Sequence, residues 1–417
     1  HFRRDRAAGR QVRAAQIAPA PVKLSPSSAG FVAIIMVMLA LLPLSTDLYL
    51  ASLPGLSRYF NSSISQVQLT LSVFVAGFAL SQLVLGPLSD RYGRRPVLLA
   101  CCAIYVGASL ACMQAGSMAT LLVARLFQAI GACGGTVVGR AIVRDTYGAG
   151  GTARMLGYIH AGVALVPILG PTAGGTLEMW FGWRANFALL AGIGSVLLAA
   201  VWLLLAETNR QHDPCATDIK PMLANYRRLL GDRRYVGYVL CLSCGYAGIF
   251  AFLSGASFIM IPVLGLSPRR FGALFGITVL GYVIGTMSAG RLSMKLGIDR
   301  MLKYGTPLAL ASGSVMLALA LADVQNIAAL LVPMFFYLIA AGINLPNAMA
   351  GAIGPFPKMA GMASALMGFI QMSVGAGVGF AVGKLHDGST VPMTAAIAAA
   401  GWGVFLVYWG MVRGLRR

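Results

Sequence analysis

The stretch GPLSDRYGRR (residues 86–95) is a polar interruption between two long apolar segments. It carries one acid and three arginines, whereas residues 83–85 and 97–99 on either side are entirely apolar. A short basic turn between two segments of membrane-spanning length lies at one face of the bilayer, and arginine favours the cytoplasmic face. This stretch therefore sets the direction in which the neighbouring spans run.

The composition of the chain is that of an integral membrane protein. Of its 417 residues, 58% are hydrophobic and only 11% are charged, whereas an average soluble domain has about 25% charged residues. Its 51 glycines suit a bundle of membrane helices, because small residues let helices approach closely. The formal net charge of +20 does not indicate nucleic-acid binding, because the basic residues lie mostly in short loops and form no basic face interleaved with aromatics. We therefore expect no nucleic-acid partner.

Twelve apolar segments are long enough to cross a bilayer as helices. The longest connection, residues 207–235, is polar and basic and separates six spans from six. We predict an all-α membrane protein made of two pseudo-symmetric six-helix bundles. Its parts are a tail (1–30), a first bundle (31–206), a cytoplasmic linker (207–235), a second bundle (236–412) and a second tail (413–417). The spans are predicted at 31–53, 67–88, 97–115, 118–140, 155–177, 184–206, 236–262, 271–294, 302–322, 327–350, 360–383 and 391–412.

The positions of lysine and arginine predict the orientation of the spans. If the N-terminus is cytoplasmic, almost all basic residues fall on the cytoplasmic side, and the outer segments hold only Arg58, Arg184, Arg269, Arg270 and Lys384. The positive-inside rule therefore favours a multi-pass protein with both termini in the cytoplasm.

The two halves of the chain resemble each other weakly. DLYLASLPGLS (47–57) ends the first span and GASFIMIPVLGLS (255–267) ends the seventh, with prolines at matching places. GRLSMKLGIDR (290–300) is a degenerate copy of GPLSDRYGRR. Duplicated halves are typical of transporters in which two bundles rock about a site near the bilayer midplane.

Only two charged residues lie deep within the predicted spans, Asp47 in the first and Arg125 in the fourth. Both are about seven residues from the outer end of their span, which places both roughly 10 Å below the outer surface. Charges inside the membrane are costly and usually functional. Two interpretations stay open: a protonatable Asp47 whose proton affinity Arg125 controls, or a permanent structural salt bridge between them.

Several motifs resemble those of the major facilitator superfamily. GPLSDRYGRR resembles its signature loop between helices 2 and 3, and LxxxRxxQ (121–128) resembles the helix 4 motif of its drug/proton antiporters, with Ala129 where glycine is usual. GVALVPILGPTAGG (162–175) resembles the helix 5 motif of drug exporters. PLSTDLYLASLP (43–54) and GRAIVRDTYG (139–148) are similar to the subfamily of bicyclomycin and chloramphenicol exporters. These motifs cover residues 31–206, and the second half matches mainly in topology.

The resemblance implies roles for individual residues. Asp47 would be the proton site with Arg125 as its partner, and Asp90 would dock near Gly361 at the start of helix 11 when the inner side is closed. The neighbouring arginines would pair with Asp145 or with anionic lipid. The resemblance also implies a gating loop, for which the alternative is a solvated basic loop, and a hinge in helix 5, for which the alternative is plain helix packing. The implied gating loop comprises Gly86, Asp90, Arg91, Gly93, Arg94 and Arg95, and the implied helix 5 hinge comprises Gly162, Gly170, Pro171, Gly174 and Gly175.

The substrate cavity is the least determined part of the prediction, because each polar or aromatic residue in a span suits helix packing as well as substrate contact. No acid lies deep in a second-half span, which favours neutral or zwitterionic amphiphiles over cations. His160 and His386 are weaker candidates for a proton relay. The candidate cavity residues are Tyr49, Gln128, Tyr246, Phe250, Tyr337, Asn344 and Gln371.

These features predict a proton-driven exporter of small amphipathic compounds, antibiotics included, in a bacterial inner membrane. The sequence contains no GxxxxGK[ST] loop and no second Cys pair beside Cys241 and Cys244, so we expect the proton gradient as the drive and neither a cofactor nor a metal. We expect a monomer whose partners are a small-molecule substrate, protons and the lipid bilayer. An exporter of a metabolite such as an amino acid, a membrane channel or sensor, and a membrane enzyme are the alternatives.

Overall fold

The computed structural model describes residues 24–25, 28–209, 213–214, 216–324, 326–356 and 359–413. Within these residues the regular secondary structure is helical throughout. Most of the predicted tail at 1–30 and the last four residues of the chain lie outside the described residues.

Twelve helices in the described part of the chain are long and apolar enough to cross a membrane, which confirms the predicted number of spans. Six precede and six follow an amphipathic linker helix, Ile219–Gly231. We number the twelve α1 (Ala29–Tyr59), α2 (Ile64–Tyr92), α3 (Arg94–Met113), α4 (Met118–Gly148), α5 (Arg154–Phe181), α6 (Arg184–Leu204), α7 (Arg233–Met260), α8 (Pro268–Leu296), α9 (Ile298–Leu321), α10 (Ile327–Ile353), α11 (Ala360–Lys384) and α12 (Val391–Val412).

Several helix starts are fixed by side chains that accept hydrogen bonds from the first backbone N–H groups, which have no partner within the helix. Ser63 caps α2 in a capping box: its hydroxyl accepts from the Gln66 N–H at 3.3 Å, and the Gln66 side chain accepts from the Ser63 N–H at 3.1 Å. The hydroxyl of Ser117 caps α4 by accepting from the Thr120 N–H, and that of Ser267 caps α8 by accepting from the Arg270 N–H. The carboxylate of Asp232 caps α7. The loop sequences between spans therefore set where these helices begin.

The first membrane helix is broken in the middle of its apolar run. A regular helix runs over Ala29–Asp47, a single 3₁₀ turn follows at Leu50–Ser52, and a short helix resumes at Leu53–Tyr59. The predicted first span, 31–53, therefore contains a break that begins immediately after Asp47. Irregular backbone at membrane depth is tolerated only where protein or an internal cavity covers it. Leu48, Tyr49, Leu50 and Ala51 are all buried.

The two halves meet along α5 against α8 and along α2 against α11. Glycines let the backbones approach closely, since Gly272 and Gly276 of α8 pack against the backbone carbonyl groups of Pro171 and Ile168 in α5. At the end opposite the 86–95 loop, the Gln68 side chain of α2 donates a 2.7 Å hydrogen bond to the Ser254 carbonyl oxygen of α7. The halves are therefore tightly joined at that end of the molecule.

The predicted internal repeat has a counterpart in the loop geometry. Gly93 sits between α2 and α3 with φ 99° and ψ 155°, and Gly297 sits between α8 and α9 with φ 81° and ψ 159°. Each is the residue before the next helix in its half. This backbone conformation is essentially restricted to glycine, so both copies of the loop need a glycine at this position.

Candidate functional site

The break in α1 lies beside the buried guanidinium of Arg125. Arg125 is fully buried, and its Nη1 donates to the Ser45 carbonyl oxygen at 3.0 Å and to Gln128 Oε1 at 2.7 Å. Nη2 is buried and has no hydrogen-bond partner among the residues that the structure describes. The guanidinium carbon also lies 4.5, 4.2 and 5.9 Å from the ring centroids of Tyr49, Phe74 and Phe187. Cation–π contacts of this kind hold a desolvated arginine in a fixed position.

A second layer of hydrogen bonds fixes the groups that surround Arg125. The Tyr49 hydroxyl and Thr70 Oγ1 are 2.5 Å apart, and Gln128 Nε2 donates to Ser109 Oγ at 2.9 Å. The Ser45 hydroxyl donates to the Leu41 carbonyl at 2.7 Å, so the Tyr105 hydroxyl, also 2.7 Å away, donates to Ser45 Oγ. The predicted pair Arg125 and Gln128 is thus part of one polar network spanning α1, α2, α3 and α4.

Asp47 is the last residue of the regular helix in α1 and is 4% exposed. Its Oδ1 accepts a 2.8 Å hydrogen bond from the hydroxyl of Thr46. A Cβ atom placed on Gly170 of α5 would lie 3.5 Å from the Asp47 Cβ, so this glycine makes room for the acid. Tyr246 of α7 is close enough to Asp47 to interact with it electrostatically. Asp47 therefore lies where α1, α5 and the second half of the molecule meet.

The structure does not join Asp47 and Arg125 as the sequence analysis suggested. No ion pair connects them among the described residues, and the Ser45 carbonyl and Gln128 take the Arg125 bonds instead. The reason is helix geometry: residues 45 and 47 are about 200° apart around a helix, so Ser45 faces α3 and α4 while Asp47 faces α5. The permanent salt bridge that we considered is absent from this structure.

The candidate cavity residues fall into two groups. Tyr49, Gln128, Phe250, Tyr337 and Asn344 are at most 1% exposed. Tyr246 and Gln371 are partly exposed. They lie near each other, because Gly375 packs on the Tyr246 ring and Gln371 is one turn away from Gly375 in α11. Tyr246 and Gln371 are therefore the candidates best placed to meet a ligand.

The glycines of the predicted hinge make close packing contacts. Gly162 packs against Met36 and Gly174 against the Leu48 carbonyl oxygen, both in α1. Gly175 instead packs against the Pro268 carbonyl of α8, and Pro171 lies inside the helix. The packing interpretation is thus visible in the contacts, and the hinge role stays a prediction.

The residues of the predicted gating loop bind their own half of the molecule and the linker that follows it. Arg94 donates to Asp145 Oδ2 at 2.9 Å and lies 2.6 Å from Asp90 Oδ1. The Glu207 carboxylate accepts the backbone N–H groups of Arg94 and Arg95 at 3.0 and 2.9 Å, and so caps α3. The predicted pairing with Asp145 is confirmed for Arg94 alone, since Arg95 donates from its side chain to the Trp202 carbonyl. Among the described residues, the Asp90 carboxylate pairs with Arg94 and makes no ion pair at the start of α11. Gly86 packs near Val137 of α4, and Arg91 donates to the hydroxyl of Thr217.

Sequence reasoning missed Glu178 because it ended a span too early. The predicted span stopped at residue 177, whereas α5 extends to Phe181, so Glu178 lies within the helix. Gly170, Gly174 and Glu178 recur every four residues, a spacing that places them on one helix face. That spacing and the apolar residues after Glu178 were the available signals.

Twelve apolar helices in two six-helix halves, with a buried polar site where the halves meet, define a membrane transporter that moves a small molecule across a lipid bilayer. A family model described as the Major Facilitator Superfamily matches residues 35–380. The chain belongs to the major facilitator superfamily, a family of transporters and not of enzymes.

Relatives of known name support the subfamily resemblance. The chain is 26% identical over 359 residues to a bicyclomycin resistance protein homolog of Haemophilus influenzae, an alignment that covers 86% of this chain and 89% of the relative. It is 32% identical over 326 residues to a chloramphenicol resistance protein of Pseudomonas aeruginosa, covering 78% of this chain and 76% of the relative.

A solved structure of a D-xylose-proton symporter superposes with a TM-score of 0.69 at 17% identity. The superposition covers 93% of this chain and 98% of the symporter. At this identity the likeness shows the fold alone, and it agrees with the predicted two-bundle architecture.

Proposed function

We propose that the protein is a proton-coupled exporter of small amphipathic compounds, antibiotics among them, in a bacterial inner membrane with both termini in the cytoplasm. The relatives named for bicyclomycin and chloramphenicol resistance support the substrate class. The observation that carries the proton coupling is Asp47, a buried carboxyl group at the break in α1 that faces α5 and Tyr246 of the other half.

Asp47 is positioned so that its proton changes the contact between the two halves. A carboxylate in a poorly solvated site interacts strongly with its surroundings, and a bound proton removes that charge. Arg125, which donates to the carbonyl of Ser45 two residues before Asp47, keeps a positive charge on the neighbouring face of α1. Protonation of Asp47 therefore changes this region from neutral to positive overall, which alters what can occupy it.

In this mechanism the substrate competes with the proton for the region around Asp47, or occupies it in alternation with the proton. Arg125 retains a buried N–H group without a partner, and Tyr246 and Gln371 offer an aromatic face and an amide. This combination suits a partly apolar compound with neutral or zwitterionic polar groups. Rocking of the two bundles about the α5–α8 and α2–α11 contacts would then present the site to one side of the membrane at a time.

Asp47→Asn tests this function directly, because asparagine keeps the size of the side chain but cannot bind a proton. In inverted membrane vesicles with an imposed pH gradient, we expect the wild-type chain to accumulate chloramphenicol and the variant to lose at least about 90% of that accumulation. Asp387→Asn, which changes an exposed acid in a loop between α11 and α12, is the matched control and should transport normally. Full gradient-driven accumulation by Asp47→Asn would overturn the coupling mechanism.

A further inference from the structure

Glu178 lies one turn beyond Gly174 on the same face of α5, in a polar cluster that the scheme above does not use. Its Oε2 accepts a 2.5 Å hydrogen bond from the Ser52 hydroxyl, and Asn186 Nδ2 donates to the same Ser52 oxygen at 3.0 Å. Ser52 and Asn186 are fully buried, while Glu178 is partly buried. The cluster connects α5 and α6 to the broken segment of α1.

Neutral groups make the direct contacts to this acid. Among the described residues no lysine or arginine forms an ion pair with Glu178, although Arg58 of α1 is close enough to act on it electrostatically. Arg184 of α6 is bonded to Tyr59 and the Met113 carbonyl instead. Helix α8 also contacts this part of α5, and it carries Arg269 there: the backbone N–H of Arg269 lies against Gly175. Glu178 is therefore not committed to a permanent charge partner.

The hydrogen bonds of the cluster can serve both the charged and the neutral acid. With a charged Glu178 they run from the Asn186 amide to Ser52 and from Ser52 to the carboxylate. Asn186 Oδ1 is buried and has no donor in this arrangement. When Glu178 binds a proton, its new O–H can donate to Ser52 Oγ. The Ser52 hydroxyl can then donate to Asn186 Oδ1 after the amide turns, so the Glu178 proton and the Ser52 proton each have an acceptor.

Ser52 connects this cluster to Asp47. The 3₁₀ turn that Ser52 closes begins three residues after Asp47, and the Leu48 carbonyl between them packs on Gly174 of the same α5 face. A change at Glu178 therefore moves the same segment, residues 48–52, on which the position of Asp47 depends.

We propose that Glu178 is a second proton-binding residue, coupled to Asp47 through residues 48–52. The inference rests on the proposed proton-coupled function and extends it, because it assigns a further proton site near the end of α5 remote from the 86–95 loop. Coupling between two binding events is reciprocal, so protonation of either acid changes the proton affinity of the other.

Infrared difference spectroscopy of the full chain in liposomes tests this without any substrate. The carbonyl stretch of protonated carboxyl groups is followed as pH is varied in the wild type, Glu178→Gln and Asp47→Asn. We expect each variant to lose one titrating component, and the midpoint of the remaining component to shift by about one pH unit. Asp387→Asn is the control and should leave both components in place.

Two further results separate a proton site from a structural contact. Glutamine can still accept the Ser52 hydrogen bond, so if Glu178 were merely structural, Glu178→Gln would give the wild-type titration, and that result would overturn the proposal. Ser52→Ala keeps both acids but removes their connection, so both components should persist while the shift caused by Asp47→Asn disappears. If the titrations behave as expected but chloramphenicol is not exported, the substrate proposal fails and the second proton site stands.

Discussion

The two halves of this molecule share a fold but differ in where they bury charge. In the first half Asp47, Arg94 and Arg125 are all buried, and Glu178 is partly buried. In the second half, the buried polar side chains of the described residues are all neutral: Ser243, Ser254, Ser257, Thr278, Thr306, Ser312, Asn344, Asn347 and Thr394. The broken helix also belongs to one half only, since α7 runs without interruption where its counterpart α1 breaks.

In the proposed mechanism this asymmetry separates two tasks. Buried charge is costly in a membrane, and the half that carries it is the one proposed to bind protons. The break in α1 supplies the free backbone carbonyl that accepts from Arg125. The second half contributes Tyr246, Gln371 and buried hydroxyl and amide groups, which can adapt to a neutral ligand. The fold is therefore symmetric in its helices and asymmetric in its chemistry.

The strongest test of this comparison replaces one buried polar group in each half. Arg125→Met removes a charge that makes hydrogen bonds to three groups, the Ser45 and Thr70 carbonyls and Gln128, and that contacts three rings. We expect a loss of about 3–5 kcal/mol in stability together with loss of transport. Asn344→Leu replaces an amide whose oxygen and nitrogen are both buried without partners, and we expect a gain of about 1–3 kcal/mol.

Thermal unfolding of the two purified variants in one detergent measures both effects. A loss of stability in Arg125→Met together with a gain in Asn344→Leu would support the division between a first half that depends on its buried charge and a second half whose buried polar groups are adaptable. If Arg125→Met were as stable as the wild type, the network around α1 would not hold the first half together. If Asn344→Leu were destabilised, the Asn344 amide would be required for packing, and the division between the two halves would be wrong.

The sequence predicted the number of helices and their order, because both depend on the length of apolar segments. It also placed a turn within residues 86–95, but that turn is shorter than predicted: α2 continues to Tyr92 and α3 begins at Arg94, which leaves Gly93 alone between them. The sequence also singled out Asp47 and Arg125, because a charge within an apolar run is visible without any structure.

The contacts of those two residues could not be predicted in the same way. Depth along a helix follows from counting residues, but the face that Asp47 presents depends on how α1 packs and on its break. Glu178 was missed for a related reason: where a membrane helix ends depends on its cap and on packing at the bilayer surface, and α5 continues past the predicted residue 177. The Ser52 and Asn186 contacts join residues that are far apart in sequence.

The two loop glycines, Gly93 and Gly297, test a feature that the two halves share, and the expected effect is smaller. Gly93→Ala and Gly297→Ala each force a side chain into a backbone region that only glycine occupies readily, and we expect each to cost about 1–3 kcal/mol. The residues that follow them differ, since Arg94 is bonded to Asp90 and Asp145 whereas its counterpart in the second loop is Ile298.

Chemical unfolding of the two glycine variants, with Gly377→Ala as a control in open space, measures this cost. Equal losses of stability in Gly93→Ala and Gly297→Ala would show that both halves require a glycine backbone conformation at this position. A loss confined to Gly93→Ala would mean that the second loop relaxes and that its geometry is not required.

The smallest expected effect concerns His386, in the loop between α11 and α12. Burial lowers the pKa of this imidazole below its ordinary 6.5, while the neighbouring Asp387 acts in the opposite direction. The unfolded chain therefore binds a proton more readily than the folded chain in the window just below pH 6.5, so His386 makes stability fall as pH falls through that window.

His386→Gln should remove this small slope from the stability measured between pH 5 and 7 but leave the pH dependence of chloramphenicol transport unchanged. A transport profile that moves with His386→Gln would place proton chemistry in the second half and break the comparison.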